Sequence, residues 1–179
     1  MITFFEKLKE LVREQFPKEY ACHVLFVYEI AMDLQKKYGG DLEVIELASI
    51  AHDIGRVEDS DNSLHPEIGS KKIIIWLREF EYNEDKIPHI ARCILMHNKT
   101  EGFQSIEEKI VCSADNLSKL LYLDIFMLMC KKDTYLEKAK WGLKYIEKGY
   151  AKLVLPELRE EYKPLYESLK KRYESILNQ

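Results

Sequence analysis

The chain has 179 residues, of which 46% are hydrophobic and 32% are charged. This length suits one domain with a core of its own, and this balance of apolar and charged residues excludes a wholly disordered chain. The 27 Lys and Arg residues against 31 Asp and Glu residues leave a net charge of −4. Because no basic excess is available to displace counterions from a phosphate backbone, we expect no nucleic-acid partner.

Cysteine spacing and hydropathy indicate the compartment. Four cysteines are spread through the chain: Cys22, Cys93, Cys112 and Cys130. None forms a C-x-x-C pair, which excludes a zinc ribbon or a thioredoxin-type motif and favours reduced thiols in a core. The first residues lack the apolar segment of a signal peptide. The most apolar stretch, residues 120–130, is interrupted by Asp124 and is too short to cross a bilayer. We therefore expect a cytoplasmic protein without a membrane partner.

Helix-type periodicity runs through almost the whole chain, and seven Gly and five Pro are too few for the many turns of an all-β fold. The first apolar residues recur at helical spacing up to Pro17, which ends this helix. Residues 18–38 form a second, mostly apolar helix, and Asp41 is placed to N-cap a third. We expect Gly55 to close that third helix and to allow a sharp exit.

The middle of the chain begins with a polar loop over residues 56–64. Pro66 suits the first turn of the helix that follows. The triple Ile73-Ile74-Ile75 could form a strand, but it lies inside a longer helical pattern, so helix is favoured. Another helix covers roughly residues 84–97.

Ser105 followed by Glu108 resembles a capping box, which opens a helix that passes through Asp115 and can continue to Cys130. Beyond that point, residues 131–179 form charged, aromatic-rich helices. We expect these helices to pack on the core, or else to form the face of a homodimer. Since no linker or repeat is visible, the sequence predicts an all-α protein, with residues 1–179 in a single domain.

A few ionisable residues interrupt apolar helical segments: His23, His52, Asp53 and Asp115. A buried carboxylate without a partner is costly because the ion loses its hydration, and a metal cation offsets that loss. Imidazole and carboxylate groups are the ligands expected for divalent Mn, Fe, Co, Ni or Zn. Each residue alone is more simply interpreted as a core or surface residue, but the combination favours a metal site.

The segments around these residues resemble the HD-domain superfamily of metal-dependent phosphohydrolases. The stretch 47–56, with its His-Asp pair, is similar to the signature of that superfamily. His23 takes the position of the first ligand, and the stretch 113–117 resembles the segment that carries the last one. The resemblance covers about residues 20–121, and it implies a helical bundle with extra C-terminal helices.

The resemblance also implies a ligand set for one or two divalent transition metals per chain. The first metal would be held by four residues: His23, His52, Asp53 and Asp115. His65 and His97 resemble two further histidines of superfamily members that carry a second metal, to which Asp53 would bridge. His89 has no place in this pattern, and we interpret it as a surface or rim residue.

The activity implied is hydrolysis of a small phosphate ester or anhydride, and a nucleotide is the favoured substrate. Asp53 would act through the metals, while Arg56 and Lys119 would neutralise charge on the phosphoryl oxygens. A carboxylate close to the ligands would accept the proton, and the sequence offers Glu58, Asp59 and Glu67. Many relatives carry an Arg three residues after the first His, where this chain has Phe26.

Four alternative functions remain open at this point. The six-ligand pattern also resembles the mixed-valent diiron oxygenases of the same superfamily, which consume O₂. It resembles as well the hydrolases of dinucleoside polyphosphates. From a different class, a non-catalytic nucleotide-binding regulator could keep the metal site for binding alone, and a purely structural helical adaptor is the simplest alternative.

Overall fold

Helices account for nearly all of the secondary structure in the computed structural model, which describes residues 3–59 and 63–178. Within these ranges there is no strand, so the prediction of an all-α fold is confirmed. The helices are α1 (Phe4–Gln15), α2 (Lys18–Tyr38), α3 (Leu42–Ala51), α4 (His65–Glu79), α5 (Ile87–Met96), α6 (Ile106–Leu121), α7 (Leu123–Met129), α8 (Tyr135–Ala151) and α9 (Pro156–Leu177). A 3₁₀ turn, Ile54–Val57, follows α3.

Helix α2 lies between two apolar clusters and contacts both α3 and α6. One face carries Val24 into a cluster built with α1, α3, α4 and α5. The opposite face carries Val27 and Ala31 into a second cluster, which includes residues of α6 and the segment that joins α8 to α9. This double burial explains why the helix is apolar on most sides, and it places any polar residue of α2 in a costly position.

Several predicted helix boundaries are confirmed. Asp41 caps α3, because its side chain accepts hydrogen bonds from the backbone N–H groups of Glu43 and Val44. Pro66 lies in the first turn of α4, where its missing N–H costs nothing. The three consecutive isoleucines lie within α4, where Ile73 is fully buried and Ile75 is exposed.

The expected role of Gly55 is wrong. Helix α3 ends at Ala51, four residues before Gly55. Gly55 lies in the 3₁₀ turn, and it does not have the positive φ of a glycine that ends a helix. A Cβ atom at Gly55 would lie 2.1 Å from the carbonyl oxygen of His65 and 2.7 Å from the backbone nitrogen of Gly69. The glycine is therefore required by the close approach of this turn to α4. The predicted loop also begins later, since residues 56–57 belong to the turn, and residues 60–62 lie outside the described ranges.

The predicted capping box of α6 is half formed. The Ser105 hydroxyl accepts a hydrogen bond from the Glu108 backbone N–H, as expected. The Glu108 carboxylate, however, accepts hydrogen bonds from the Gln104 N–H and from Arg92 Nε, at 2.9 Å and 2.7 Å. An ion pair with α5 thus takes the place of the second cap interaction, and it fixes α5 against α6.

The helix that begins after Ser105 does not continue unbroken to Cys130. It ends at Leu121, and α7 starts after Tyr122, whose backbone leaves the helical region. The Tyr122 ring stacks on Phe26 of α2, with ring centroids 3.8 Å apart. After the break, Phe126 of α7 lies against His23 of α2, with ring centroids 4.9 Å apart.

The C-terminal helices pack on this body. Helix α8 contacts α6 and α9, and Gly149 allows a close approach to the Asn116 carbonyl oxygen. Tyr150 and Tyr166 stack between α8 and α9 with ring centroids 4.1 Å apart. None of the helices in the described ranges combines the length and the apolar composition needed to cross a membrane.

A Gly55→Ala variant tests the contact between the 3₁₀ turn and α4. Because the added methyl group meets backbone rather than a flexible side chain, we expect a loss in unfolding free energy of about 3 kcal/mol or more, measured by urea denaturation. The matched variant Gly69→Ala meets its nearest atom at 3.3 Å, so it should cost less. Equal stability of Gly55→Ala and the unmodified chain would contradict this account.

Candidate metal centre

The fold brings six predicted residues to one buried point. Helix α2 supplies one histidine, the end of α3 supplies a His-Asp pair, and α4, α5 and α6 supply one residue each. None of the six is more than 6% exposed: His23, His52, Asp53, His65, His97 and Asp115. Because these residues come from five separate segments of the chain, their meeting depends on how α2 to α6 pack together.

Two groups of possible ligand atoms can be distinguished. One contains His23, His52 and Asp115, and the other contains Asp53, His65 and His97. Within each group, the atoms lie within 4.8 Å of one another. Each group therefore offers three nitrogen or oxygen donors, which is the number of protein ligands in catalytic zinc sites.

The Asp53 carboxylate lies between the two groups. Its Oδ2 atom is 3.3 Å from His52 Nε2 and 3.7 Å from His23 Nε2. Its Oδ1 atom is 3.2 Å from His65 Nε2 and 3.5 Å from His97 Nε2. One oxygen thus faces each group, which is the arrangement that a bridging carboxylate requires.

Backbone carbonyls set the proton positions of two imidazoles. His52 Nδ1 lies 2.7 Å from the Ser49 carbonyl oxygen, and His97 Nδ1 lies 2.6 Å from the Ile94 carbonyl oxygen. A carbonyl oxygen can only accept, so both Nδ1 atoms must donate. In the neutral form each Nε2 then carries a lone pair aimed at the centre, as metal-binding histidines require.

Ser118 has the same effect on His23. The Ser118 hydroxyl donates its proton to the Asp115 carbonyl oxygen at 2.7 Å, which leaves its oxygen to accept from His23 Nδ1 at 3.4 Å. His23 Nε2 therefore also presents a lone pair to the centre, 3.5 Å from Asp115 Oδ1.

Imidazole nitrogens whose lone pairs converge in this way are stabilised by a cation placed between them. His65 Nε2 and His97 Nε2 are 3.2 Å apart, and two lone pairs at that distance repel unless a proton or a cation lies between them. Among the residues that the structure describes, the buried His52 Nε2 atom makes no hydrogen bond. A buried polar atom without a partner is costly, so the donor set fits one or two divalent metal ions.

Both central carboxylates are ionised. Burial alone would raise the pKa of Asp53, but His52 and Arg56 outweigh it and hold this pKa well below its ordinary value. Burial likewise opposes ionisation of Asp115, and Lys119 and His52 reverse the effect, so its pKa is also lowered. Two ionised carboxylates therefore face the imidazoles at neutral pH, in the protonation state that metal binding requires.

The histidines divide into two classes. Burial lowers the pKa of His23 and of His97, so both are neutral at pH 7 and able to bind metal. Burial also lowers the pKa of His52, but the charges of Asp53 and Asp115 outweigh it, and this pKa lies above its ordinary value of 6.5. Among these three histidines, a proton competes with a metal most strongly at His52.

Polar side chains around the centre hold the carboxylates in place. The Tyr20 hydroxyl donates to Asp53 Oδ2, and burial together with Asp53 raises the pKa of Tyr20 well above its ordinary value, so the phenol keeps its proton. Arg56 Nε lies 2.8 Å from Asp53 Oδ1. Lys119 donates to Asp115 Oδ2 at 2.8 Å and to Asn116 Oδ1 at 2.7 Å.

A cavity of about 810 Å³ leads from the surface to this centre. Its inner wall contains His23, Asp53 and Asp115, together with the predicted cations Arg56 and Lys119. The rest of its wall is largely apolar and aromatic, and comes from α7 and α8: Phe126, Leu128, Met129, Trp141 and Tyr145. The cavity therefore places aromatic rings and the charged centre on one continuous surface.

The predicted proton acceptors have other partners. Glu58 pairs with Lys72 at 2.6 Å, and Asp59 Oδ2 accepts a hydrogen bond from the Leu64 N–H at 2.8 Å. Among the described residues that line the cavity, Glu19 is the one carboxylate besides Asp53 and Asp115. The third predicted acceptor, Glu67, lies 3.6 Å from Lys99 and is not among the lining residues.

Sequence reasoning missed Tyr20, Glu19 and the aromatic wall. Tyr20 precedes His23 by three residues, so helical spacing alone could have placed both on one face of α2. Trp141 and Tyr145 carry no such signal, because they lie beyond the segment that resembles the superfamily. His89, which we interpreted as a rim residue, is partly exposed and lies 3.0 Å from Ser105 Oγ.

The sequence profile of the HD domain family matches residues 20–120, which include every residue of the centre. The chain belongs to the HD domain family. The match ends at the last turn of α6, so the cavity wall contributed by α7 and α8 lies outside it.

Curated relatives differ in how much of their length this chain covers. An uncharacterized protein of Clostridium beijerinckii is 30% identical over 147 residues, which are 79% of this chain and 85% of that protein. Ribonuclease Y of Sulfurovum sp. is 27% identical over 160 residues, or 84% of this chain but 30% of that enzyme. The symmetrical bis(5'-nucleosyl)-tetraphosphatase of Staphylococcus aureus is 39% identical over 54 residues, or 30% of this chain and 28% of that enzyme.

Solved structures share the whole fold. The structure of Bacillus subtilis YpgQ in complex with ADP has a TM-score of 0.70 at 16% identity, and the match covers 96% of this chain and 92% of that one. An HD-superfamily hydrolase of Bacillus thuringiensis has a TM-score of 0.69 at 20% identity, with 97% and 94% covered. At these identities, the likeness shows the fold.

The raised pKa of His52 predicts how metal affinity depends on pH. The affinity should be full above this pKa and should fall as the pH drops through it, because protons displace metal from imidazole. We expect the affinity of the metal-free protein for Co²⁺ to fall at least about tenfold per pH unit below that point, measured by competition with a fluorescent chelator. His89→Ala should leave the profile unchanged, whereas an affinity independent of pH would contradict the assignment of imidazole ligands.

Proposed function

We propose that this chain is a metal-dependent phosphohydrolase that cleaves a small phosphate ester or anhydride, most simply that of a nucleotide. The observation that carries the proposal is the pairing of cations with the central carboxylates on the cavity wall. Arg56 contacts Asp53, and Lys119 contacts Asp115, so two positive charges lie where the cavity meets the centre. Because these cations balance the two carboxylates, divalent ions in the centre would give the site a net positive charge, which favours a substrate that brings negative charge over a neutral one.

The six central residues would hold the ions: His23, His52, Asp53, His65, His97 and Asp115. Divalent ions in such a site lower the pKa of water toward neutrality and neutralise charge on a phosphoryl group. Asp53, with one oxygen toward each group of ligands, would fix the two sites relative to each other. Tyr20 and Arg56 hold that carboxylate in its orientation.

Arg56 and Lys119 would bind the phosphoryl oxygens. The Arg56 guanidinium has five N–H donors in a planar fork, so it can contact Asp53 and still donate to a phosphate. The Lys119 ammonium has three N–H donors, of which two point to Asp115 and Asn116. Both cations are held before substrate arrives, which reduces the reorganisation that charge development would otherwise require.

The relatives support a phosphate-containing substrate without naming it. The YpgQ structure contains ADP, and the Staphylococcus aureus relative is named for cleavage of a dinucleoside tetraphosphate. Ribonuclease Y is named for RNA, but this chain covers less than a third of that enzyme. The net charge of −4 favours a small nucleotide over a polynucleotide.

The direct test is hydrolysis by protein loaded separately with Mn²⁺, Co²⁺, Ni²⁺ or Fe²⁺. The panel should contain nucleoside mono-, di- and triphosphates, dinucleoside polyphosphates, sugar phosphates and a short RNA. We expect metal-dependent release of phosphate or pyrophosphate from nucleotides and no consumption of O₂. Cleavage of RNA alone, O₂ consumption with bound iron, or nucleotide binding without turnover would each overturn the proposal in favour of a different activity.

Arg56→Gln tests the role of the cation at the centre. We expect kcat/KM for a phosphate substrate to fall about 100-fold, since removal of one preorganised charge-stabilising donor typically has an effect of this size. The matched control is Arg78→Gln, which removes a surface pair with Glu84 and should leave kcat/KM unchanged. Metal content must be measured in both variants, and an unchanged kcat/KM in Arg56→Gln with metal retained would contradict the assigned role.

A further inference from the structure

We propose that Trp141 and Tyr145 of α8 form a binding wall for the base of the nucleotide, so that the C-terminal helices determine which phosphate compounds are accepted. The inference rests on the proposed function, since it assumes that the phosphate end of the ligand reaches the metal centre. It assigns a role to residues outside the segment that matches the HD domain family.

An unbroken series of aromatic rings runs from the centre into the cavity wall. The His23 ring lies against Phe126 of α7, with centroids 4.9 Å apart. Phe126 contacts Tyr145 at 4.6 Å, and Tyr145 stacks on Trp141 at 4.7 Å with an angle of 15° between the ring planes. The far end of this series is Trp141, which is partly exposed and lines the same cavity as the metal ligands.

Helix α8 presents this wall as one face. Trp141, Tyr145 and Lys148 are spaced at i, i+4 and i+7, which places them on the same side of a helix, and all three line the cavity. The same cavity is also lined by Leu128, which is 73% exposed, and by Lys131. The cavity therefore combines an apolar, aromatic wall with cations beside the metal ligands and further cations on and next to α7 and α8.

Another aromatic pair of the C-terminal helices differs from Trp141 and Tyr145 in its surroundings. Tyr150 and Tyr166 stack on each other between α8 and α9, and the Tyr150 hydroxyl bonds to the Arg159 carbonyl oxygen. That pair is explained by packing of the two helices. Trp141 and Tyr145 instead lie on the wall of an open cavity, where aromatic surface remains available to a ligand.

The chemistry at the two ends of the cavity indicates which kind of ligand it binds. The inner end offers two cations and a metal centre, which suit phosphate, while the outer end offers flat apolar rings, which suit a planar aromatic group. Stacking on an aromatic side chain is favourable for any nucleobase, since each base has a π face. A volume of about 810 Å³ is in the range of pockets that enclose small ligands. A nucleotide fits both ends, whereas a sugar phosphate would leave the aromatic wall uncovered.

Tryptophan fluorescence tests the wall without any need for turnover. The chain has two tryptophans, and Trp76 lies on α4, where it lines a groove separate from this cavity. In a Trp76→Phe background the emission therefore reports on Trp141 alone. We expect ADP to cause a saturable change in this emission in metal-loaded protein, and ribose 5-phosphate to cause none.

Affinity measurements on variants give an independent readout. Trp141→Ala should weaken ADP binding, measured by calorimetry, about tenfold or more, because a stacked base is lost. Trp141→Phe keeps an aromatic ring and should recover most of that affinity. Binding of ribose 5-phosphate should be equal in all three proteins, and circular dichroism should confirm that α8 remains folded.

The outcomes separate this inference from the proposed function. One result would contradict the base-binding role of Trp141 and still support the hydrolase: the protein hydrolyses phosphate compounds, but ADP does not change Trp141 emission and Trp141→Ala binds ADP as tightly as the unmodified chain. The reverse result would support the base-binding role and contradict the hydrolase: ADP alters the emission and Trp141→Ala binds ADP more weakly, but no compound is hydrolysed. Equal changes in Trp141 emission on addition of ADP and of ribose 5-phosphate would also contradict the base-binding role.

Discussion

Burial of two ionised carboxylates is the constraint on which the rest of this structure depends. Asp53 and Asp115 lie among apolar helices, and removal of their charges from water must be offset by partners. The chain supplies these partners in two layers, first the imidazoles and then Arg56, Lys119 and Tyr20. Carbonyl oxygens at the ends of α3 and α5 fix the imidazole tautomers, so even the helix termini contribute to the centre.

Much of the fold and of the centre could be predicted from sequence. The helical periodicity, the Asp41 cap and the Pro66 start are local signals, and each acts within a few residues. The six central residues could be selected because charged or imidazole groups on apolar helices need partners, and the order of these residues resembled a known family. Their proximity could not be derived from spacing, since it depends on how α2 to α6 pack together.

The remaining features depend on contacts between distant parts of the chain. Gly55 is required by the carbonyl oxygen of His65, a neighbour ten positions away across a turn, and not by its own backbone angles. At the break between α6 and α7, the Tyr122 ring stacks on Phe26 of α2. At the start of α6, Arg92 of α5 binds the Glu108 carboxylate that would otherwise complete the capping box. Trp141 is separated from the centre by a whole helix in sequence, yet lines the same cavity. Periodicity identifies faces of helices, but it does not identify which faces meet.

The central claim is that the six buried residues hold metal, and metal content tests it most directly. The protein should be purified without chelator and analysed for transition metals, beside Asp53→Ala and the control Glu58→Ala, whose carboxylate lies on the surface. The account predicts about two ions per chain, as expected for a centre with two groups of ligands, with loss in Asp53→Ala and retention in Glu58→Ala. Absence of metal in the unmodified chain, with none taken up on reconstitution, would contradict it.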